Sequence, residues 1–407
     1  MELFDFTLYG FFAIFIGQTF FPSKEPIVSL LASLATFGVG FVMRPIGGLV
    51  MGAYADRFGR KGALIITMVM MAIATGMPGI LPGYASIGVW ASIILVLARL
   101  AQGFSTGGEW GGAIIFMAEY ATPGHRGFYA SFMQVGVALG SLCGAGSALL
   151  LTATLDQASL QSWGWRIPFI VGFLLLPVGY YLRSRVAETP AFERLVAARK
   201  VARSPLGDAF GQHKVMMALI CATSFIWNAG GYVLLVYLPS FASQVLKVEL
   251  SLALAATTIG TLVRAVLTPL VGAISDRVGR KTVVQVMNVS FLVAVYPMFL
   301  WMKTAPGFQS VLLVSILSGV LMAMVGGAGP VMLTEMFPTR VRSTPVGIGY
   351  NVSAAVFGGF APFICTWLVQ QTGNSIAPTY FLLFCAAASF LAVTQLKDRS
   401  NVSLEEL

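Results

Sequence analysis

Three arginines lie within long apolar runs of this 407-residue chain, at Arg44, Arg99 and Arg264. A guanidinium is always charged and presents a planar fork of donors that matches a carboxylate. An arginine at the centre of a membrane helix costs about 2.5–3.5 kcal/mol, so each must face water, a carboxylate or a bound anion. The three arginines therefore predict either buried ion pairs with nearby acids or a clamp for an anionic ligand, and both interpretations stay open at this point.

Three acids, Glu2, Asp5 and Glu109, are expected to lie within the same apolar runs, away from their ends. Burial raises the pKa of a carboxyl group and a neighbouring arginine lowers it, so such an acid can bind and release a proton. The two histidines, His125 and His213, fall in polar connections. Proton transfer would therefore use these acids. The alternative for Glu2 and Asp5 is an interfacial helix start that the helix dipole stabilises.

The composition places most of the chain in lipid. Hydrophobic residues make up 57% and charged residues only 10%, with a mean hydropathy of +0.83, whereas soluble proteins are about 25% charged. A membrane-spanning helix needs about 20 mostly apolar residues. Twelve runs meet that criterion: 2–22, 27–55, 62–81, 90–118, 127–153, 163–184, 215–240, 250–275, 282–302, 308–334, 343–370 and 375–396. The predicted fold class is an all-α polytopic membrane protein.

The chain repeats itself at a fixed offset. The polar stretch 52–61 has the pattern Gly-x-x-x-Asp-Arg-x-Gly-Arg-Lys, which returns 220 residues later at 272–281, and the same shift carries Arg44 onto Arg264. Paired halves in a polytopic membrane protein indicate a transporter. We expect two pseudo-symmetric six-helix halves at 1–185 and 215–407, joined by a linker at 186–214. The linker is expected to be a plain connection with an amphipathic surface helix, and a hinge or regulatory loop is the alternative.

The repeated loops predict a gate. Glycine permits their tight reversal, and their arginines can reach carboxylates or helix ends of neighbouring spans. A second pair, Glu119…Arg126 and Glu335…Arg342, recurs at an offset of 216. We interpret these groups as a latch that closes the cytoplasmic side, and anchoring at the lipid headgroups is the alternative. The predicted gate residues are Asp56, Arg57, Arg60, Asp276, Arg277, Arg280, Glu119, Arg126, Glu335 and Arg342.

The distribution of basic residues gives the orientation. Of the 25 Lys and Arg residues, 18 fall on the side that holds both termini and the repeated loops, and 4 fall on the other side. The positive-inside rule then places both termini in the cytoplasm. The sequence pI of about 9.5 is explained by this asymmetry, so nucleic acid is not an expected partner. All four cysteines lie in apolar runs, and neither they nor the two histidines suggest a metal or other cofactor.

Longer motifs accompany the repeat. They are Glu2-x-Phe4-Asp5-Phe6-x-x-Tyr9-Gly10, Met43-Arg44-Pro45-Ile46-Gly47-Gly48, Arg99-Leu100-Ala101-Gln102-Gly103-Phe104-Ser105-x-Gly107-Gly108-Glu109, Trp163-Gly164-Trp165-Arg166-Ile167-Pro168, Glu188-Thr189-Pro190-x-Phe192 and Glu335-Met336-Phe337-Pro338-Thr339-x-Val341-Arg342. With these motifs the whole chain resembles the metabolite:proton symporter family of the major facilitator superfamily. Members of that family carry citrate, other di- and tricarboxylates, shikimate, or proline and betaine. Arg264 departs from the family pattern, in which we expect an apolar or small residue.

The resemblance implies a secondary active transporter and not an enzyme. Together with the three arginines, it favours import of a small organic anion, a di- or tricarboxylate, by proton symport across the inner membrane. The alternatives are a proline- or betaine-type zwitterion symporter and, less well supported, a multidrug exporter. We expect a monomer embedded in the lipid bilayer. Besides the arginines, some of these side chains should line the cavity while others only pack: Tyr9, Gln102, Gln134, Trp227, Asn228, Tyr232, Tyr350 and Asn351.

Overall fold

The computed structural model describes residues 2–122, 124–174, 176–185, 187–198, 207, 211, 213–400 and 402. Every regular element in these residues is helical. The twelve long segments are α1 (Glu2–Phe20), α2 (Pro26–Phe58), α3 (Arg60–Ile80), α4 (Val89–Tyr120), α5 (Arg126–Thr154), α6 (Ile167–Leu174 and Leu176–Arg185), α7 (Lys214–Thr223, Phe225–Gly231, Tyr232–Tyr237 and Leu238–Gln244), α8 (Leu250–Val278), α9 (Arg280–Thr304), α10 (Phe308–Thr334), α11 (Ser343–Ser353, Ala354–Gly359 and Ala361–Thr372) and α12 (Pro378–Gln395). Short helices occur at Tyr84–Ile87, Gln157–Ser162, Gly164–Arg166, Pro190–Ala197 and Thr339–Val341.

The segments α2 to α12 are, among the described residues, the 11 that are long and apolar enough to cross a membrane. The first segment, α1, has 19 residues, carries Asp5 near its start, and packs against α2, α4 and α5. The predicted class, an all-α polytopic membrane protein, is confirmed. Two segments depart from regular α-helix, because α7 and α11 each contain a π-helical turn, at Tyr232–Tyr237 and Ala354–Gly359.

Glycine allows the closest helix contacts within each half. In the first half α2 and α4 approach so closely that a Cβ atom on Gly103 would lie 1.8 Å from the Gly40 carbonyl oxygen. In the second half a Cβ atom on Gly260 of α8 would lie 2.3 Å from the Ser315 carbonyl oxygen of α10. Small residues at such crossings let helix backbones meet where lipid supplies no hydrophobic driving force. The equivalent pair of helices is therefore in close backbone contact in both halves.

The turns after α2 and α8 depend on glycine. Gly59 and Gly279 connect α2 to α3 and α8 to α9, and their φ angles are +109° and +93°. Side-chain-bearing residues rarely adopt such angles, whereas glycine does so at little cost. The short reversal leaves the basic residues of both loops on one face of the molecule, which we call the loop face.

The halves meet through two seams, α2 against α11 and α5 against α8. In the first, a Cβ atom on Gly347 would lie 2.9 Å from the Gly48 carbonyl oxygen. In the second, a Cβ atom on Gly272 would lie 2.6 Å from the Gly127 carbonyl oxygen. Both contacts lie within a few turns of the loop face. The structure thus brings the halves together on the side that carries the repeated loops.

Candidate functional site

A buried ion pair joins α1 to α4. Arg99 Nη1 lies 2.5 Å from Asp5 Oδ2, and both side chains are almost completely buried. Arg99 also donates to the Gln102 amide oxygen at 2.5 Å and stacks over the Tyr9 ring, with its Cζ 3.8 Å from the ring centroid. A buried charge is tolerated when it is paired and hydrogen-bonded. The structure therefore gives Arg99 the ion-pair role that the sequence left open.

Tyr9 and Gln102 connect this pair to the rest of the first half. The Tyr9 hydroxyl donates to the Ser33 carbonyl oxygen on α2 at 3.1 Å, and the Gln102 amide donates to the Thr75 hydroxyl on α3 at 3.0 Å. One oxygen of Asp5, Oδ1, is buried and accepts no hydrogen bond among the described residues. The pair is thus connected to two further helices, while one carboxylate oxygen is left without a donor.

Arg264 is held differently. Its Nη2 donates at 2.9 Å to the amide oxygen of Gln134, which lies on α5 of the other half. No carboxylate of a described residue lies within salt-bridge distance of Arg264, and its Nε has no hydrogen-bond partner in that part of the chain. A half-buried guanidinium whose partner is neutral retains its full charge for a ligand. This side chain fits the clamp that the sequence predicts.

Arg44 of α2 contacts α7 of the other half. Its Nη1 donates to the Tyr232 hydroxyl at 3.2 Å, and its Cζ lies 4.9 Å from the centroid of Phe41 and 5.7 Å from that of Phe6. An aromatic face attracts a cation through its quadrupole, and more strongly where water is excluded. Arg44 and Tyr232, both predicted to contact substrate, are therefore brought together across the two halves.

A stacked aromatic pair lies between α4 and α11. The rings of Trp110 and Tyr350 are parallel within 2°, with centroids 3.3 Å apart. Sequence reasoning did not single out Trp110. The sequence does contain a signal for Trp110 as a site residue, because Trp110 follows Arg99 and Gln102 on one face of α4 at helical spacing.

The remaining amides and Trp227 hold helices together. Asn228 donates to the Ser353 hydroxyl at 3.2 Å within the second half. Asn351 donates to the Gly107 carbonyl oxygen of α4 at 2.7 Å, across the halves. The Trp227 ring packs on Gly329 of α10. These contacts are those of packing residues.

Glu109, another of the predicted coupling acids, does not join the Asp5 cluster. Glu109 accepts a hydrogen bond of 2.9 Å from Arg183 on α6, and the two side chains are 22% and 31% exposed. Glu109 is ten residues from Arg99 on α4, or about 15 Å along the helix. The side chain of Glu2 lies outside the described residues. Of the two acids whose side chains are described, Asp5 is the one that is fully buried beside an arginine.

On the loop face, Asp56 binds the start of α11. Its carboxylate accepts hydrogen bonds from the Ser343 and Thr344 backbone N–H groups at 3.0 and 2.8 Å and from the Thr344 hydroxyl at 2.8 Å. The N-terminus of a helix carries unpaired N–H groups and a partial positive charge, so it attracts a carboxylate. The loop of the first half is thereby bound to a helix of the second.

Asp276 repeats this contact in the opposite direction. It accepts hydrogen bonds from the Gly127 and Phe128 backbone N–H groups, at 2.8 and 2.9 Å, at the start of α5. The two aspartates therefore cross-link the halves at both seams. These contacts are the ones that the latch predicted from the repeat would need.

Two glutamates form ion pairs with the gate arginines. Glu119 lies 2.8 Å from Arg342 and 3.5 Å from Arg60. Its counterpart Glu335 lies 3.7 Å from Arg126 and 3.6 Å from Arg280. Each network includes arginines from both halves. Arg57 and Arg277 do not belong to either network, because the structure places both side chains on the exposed surface, where Arg57 stacks on Phe58.

Burial shifts pKa values in both networks. The pKa of Glu335 is raised to about 7: burial is the largest cause, Arg280 and Arg126 lower the pKa, and Asp398 and Asp276 raise it. Burial also lowers the pKa of Arg342, which Glu119 partly offsets. The gate thus contains a carboxyl group that titrates near neutral pH.

Two caps that sequence reasoning missed complete the gate. Glu188 accepts from the backbone N–H groups of Arg60 and Lys61, each at 3.1 Å, at the start of α3. Asp398 accepts from the Lys281 backbone N–H at 3.3 Å, at the start of α9. The signal for them is positional, since each acid follows the last helix of its half and the two are 210 residues apart.

Comparisons with known proteins agree with this architecture. Residues 1–217 match the family described as Sugar (and other) transporter, and residues 248–400 match the Major Facilitator Superfamily. A solved structure of the proton:xylose symporter bound to 6-bromo-6-deoxy-D-glucose superposes with a TM-score of 0.78, covering 100% of this chain and 96% of that one at 18% identity. That likeness establishes the fold and agrees with twelve helices in two halves.

Two relatives are similar along their length. The citrate-proton symporter of Klebsiella pneumoniae is 37% identical over 409 residues, covering 100% of this chain and 91% of the relative. The proline/betaine transporter of Escherichia coli (strain K12) is 35% identical over 426 residues, covering 100% and 82%.

Proposed function

Because the chain belongs to the sugar (and other) transporter family of the major facilitator superfamily, we propose that it imports a small organic anion, a di- or tricarboxylate, by proton symport. It is a secondary transporter and not an enzyme.

The observation that carries the anion proposal is Arg264. Its guanidinium lies between the halves with a neutral amide as its partner, and among the described residues it has no carboxylate. A carboxylate of the substrate would supply the missing negative charge and the second acceptor of a bidentate pair. Arg44 on α2 could take a second carboxylate, because the 220-residue repeat places it at the equivalent position. Tyr232, Tyr350 and Trp110 would complete the site.

Asp5 is the proposed proton carrier. It is fully buried, it is paired with Arg99, and one of its oxygens lacks a donor among the described residues. Protonation would cancel its charge and release Arg99 from the pair, so proton binding would change the charge of the first half beside the substrate site. Glu109, with its own half-exposed arginine, is a weaker proposal for this role.

The latch supports alternating access. With the aspartates and glutamates holding both seams on the loop face, we propose that the structure represents the state closed on that side. The excess of basic residues supports a cytoplasmic loop face and cytoplasmic termini in the inner membrane. The proposed moving bodies are residues 1–185 and 215–407, with 186–214 as the linker. We propose that the protein works as a monomer in the lipid bilayer.

A zwitterion such as proline or betaine is the second proposal, because one relative is a proline/betaine transporter. Such a ligand needs a partner for its cation as well as for its carboxylate. The Trp110–Tyr350 stack is an aromatic surface of the kind that attracts cations. Arg44, however, adds a second positive charge to that of Arg264 between the halves, and repulsion between these charges and a ligand cation favours an anionic substrate.

The test is uptake by proteoliposomes with an imposed pH gradient. Labelled citrate, succinate, proline and betaine are offered in parallel to the wild-type protein and to Arg264→Gln, with empty liposomes as the control. We expect gradient-driven accumulation of a carboxylate by the wild-type protein and, at the same substrate concentration, strongly reduced accumulation by the variant. Accumulation of betaine or proline without any carboxylate would overturn the anion assignment and support the second proposal.

A further inference from the structure

Gln134 lies where α5, α8 and α10 meet. It is buried, its side chain packs on Gly326 of α10, and its amide oxygen accepts from Arg264 Nη2 at 2.9 Å. We propose that the Gln134 amide occupies the place of a substrate carboxylate on Arg264, and that substrate binding releases it and thereby frees α5 from α8. This inference rests on the proposed function, because it takes the substrate to be a carboxylate.

A carboxylate can displace the amide. The amide oxygen of Gln134 is a neutral acceptor that engages one nitrogen of Arg264, and Arg264 Nε has no partner in the described part of the chain. A carboxylate presents two charged oxygens and can engage Nε and one Nη together. The bond from Arg264 to the amide is already charge-assisted, and a carboxylate adds the attraction between opposite charges and a second hydrogen bond. Gln134 would thus hold the guanidinium in position without competing strongly for it.

Release of Gln134 would weaken the contact between α5 and α8 near the gate. Two polar contacts tie α5 to α8 in the described residues: Gln134 with Arg264, and the backbone N–H groups of Gly127 and Phe128 with Asp276. They are separated by about seven residues of α5, or about 10 Å. Near the second contact the backbones touch at Gly127 and Gly272. Loss of the inner contact leaves the Asp276 contact at the loop face as the remaining polar contact between α5 and α8 among the described residues, so a bound anion favours opening there.

In the other seam the position that corresponds to Gln134 is a tyrosine. The 216-residue offset that relates the gate arginines carries Gln134 onto Tyr350 of α11, which stacks on Trp110. Arg44, the counterpart of Arg264, donates to the Tyr232 hydroxyl on α7. The link between ligand and gate is therefore placed in the α5–α8 seam.

The test uses three variants: Gln134→Ala, Gln134→Glu and, as a matched control, Ser131→Ala. Ser131 is also buried on α5, but its hydroxyl donates to the Phe128 carbonyl oxygen of its own helix. The reporter is Ser275→Cys in a protein whose four native cysteines are replaced. The Ser275 hydroxyl oxygen lies 2.6 Å from the Cβ position of Gly127, inside the seam. Reactivity of this introduced thiol towards a membrane-impermeant thiol reagent, applied from the loop face, reports opening.

Equilibrium binding is measured with citrate or succinate, whichever the wild-type protein transports. We expect Gln134→Ala to bind it up to about tenfold more tightly and to expose the reporter thiol without ligand. Gln134→Glu supplies a fixed carboxylate, so binding should weaken at least about a hundredfold and ligand should no longer expose the reporter thiol. Ser131→Ala should match the wild-type protein in both measurements.

The outcomes separate the two ideas. If the wild-type protein transports a carboxylate and both Gln134 variants bind and open as it does, the Gln134 inference fails and the proposed function stands. If the wild-type protein transports neither citrate nor succinate, the proposed function fails and the inference fails with it. Weaker binding in Gln134→Ala would also overturn the inference, because it would make Gln134 a direct substrate ligand.

Discussion

Arg342 donates a 2.8 Å hydrogen bond to the Glu119 carboxylate across the two halves, whereas its counterpart Arg126 stands 3.7 Å from Glu335. The two gate networks are therefore related by the repeat but differ in tightness. Glu335 is completely buried and neither of its oxygens accepts a hydrogen bond among the described residues. Its pKa is accordingly raised to about 7 by burial. We therefore expect the second network to respond to pH.

The closed gate should weaken as the pH rises from about 4.5 to about 7. A raised pKa means that the closed state binds the proton more tightly than an open state, in which Glu335 meets water at its ordinary value of 4.5. The stabilisation of the closed state by the bound proton is complete below pH 4.5 and is lost as the pH rises past about 7. It amounts to at most about 3 kcal/mol. Spin labels at the exposed positions Thr122 and Val278, which belong to opposite halves, should move apart between about pH 4.5 and pH 8.

The control for the pH effect is a pair of charge removals. Glu335→Gln should abolish the change over this range, because the titrating group is gone. Glu119→Gln loosens the other network but should retain the change, because Glu335 remains. A pH response that survives in Glu335→Gln and disappears in Glu119→Gln would assign the titration to the wrong network and contradict the prediction.

Arg264→Gln should weaken carboxylate binding roughly a hundredfold while the protein still folds. The variant loses the charge, and each hydrogen bond to a charged group contributes about 1.5–3 kcal/mol. Arg264→Lys keeps the charge but loses the fork of donors, so its affinity for the carboxylate should lie between those of the wild-type protein and Arg264→Gln. Binding is measured by the half-saturation of counterflow, with thermal unfolding as the check on folding. Unchanged affinity in Arg264→Gln would remove this residue from the site.

Asp5→Asn should allow exchange of substrate across the membrane but prevent its accumulation. If Asp5 carries the proton, a neutral amide imitates its protonated form, so exchange of internal for external substrate continues while a pH gradient no longer drives uptake. Glu109→Gln is the matched control, because Glu109 pairs with Arg183 at a half-exposed position. It should still accumulate substrate. Gradient-driven uptake by Asp5→Asn would show that the coupling proton binds elsewhere.

Asp56→Asn and Asp276→Asn should slow turnover more than they weaken substrate binding. Each aspartate caps a helix of the opposite half, and such contacts are worth up to about 2 kcal/mol in partly buried geometries. Asp56 accepts three hydrogen bonds and Asp276 accepts two from the opposite half. The loss should therefore be larger for Asp56→Asn. Uptake rate and half-saturation, measured together, test this, and equal losses in binding would count against a gate role.

Gly103→Ala should prevent normal packing of the first half. Its Cβ atom would lie 1.8 Å from the Gly40 carbonyl oxygen, so the α2 and α4 backbones would have to separate. Overpacking typically costs about 1–3 kcal/mol and sometimes more. Gly136→Ala on α5 is the control, since its Cβ atom would meet no atom within 4 Å. The melting temperature should fall for the first variant and stay the same or rise slightly for the second.

The sequence by itself determined the class, the twelve spans, the repeat and the family, since all of these are local or periodic properties. An apolar run must form a helix in lipid, because no other structure satisfies its backbone there. The repeated Asp56 and Asp276 loops likewise predicted a latch from their recurrence alone. Their two aspartates face helix starts as a latch requires.

Only the tertiary structure decided what each charged side chain faces. Arg99 and Arg264 are both arginines within apolar runs, yet Asp5 neutralises the first and a neutral amide from the other half holds the second. Glu109 pairs at a half-exposed position and Arg57 and Arg277 lie outside the gate networks, although each belongs to a motif with functional residues. The role of a charge buried in a membrane protein depends on the partners within a few ångströms of it. The sequence cannot identify those partners, because they lie about 70 to 220 positions away along the chain.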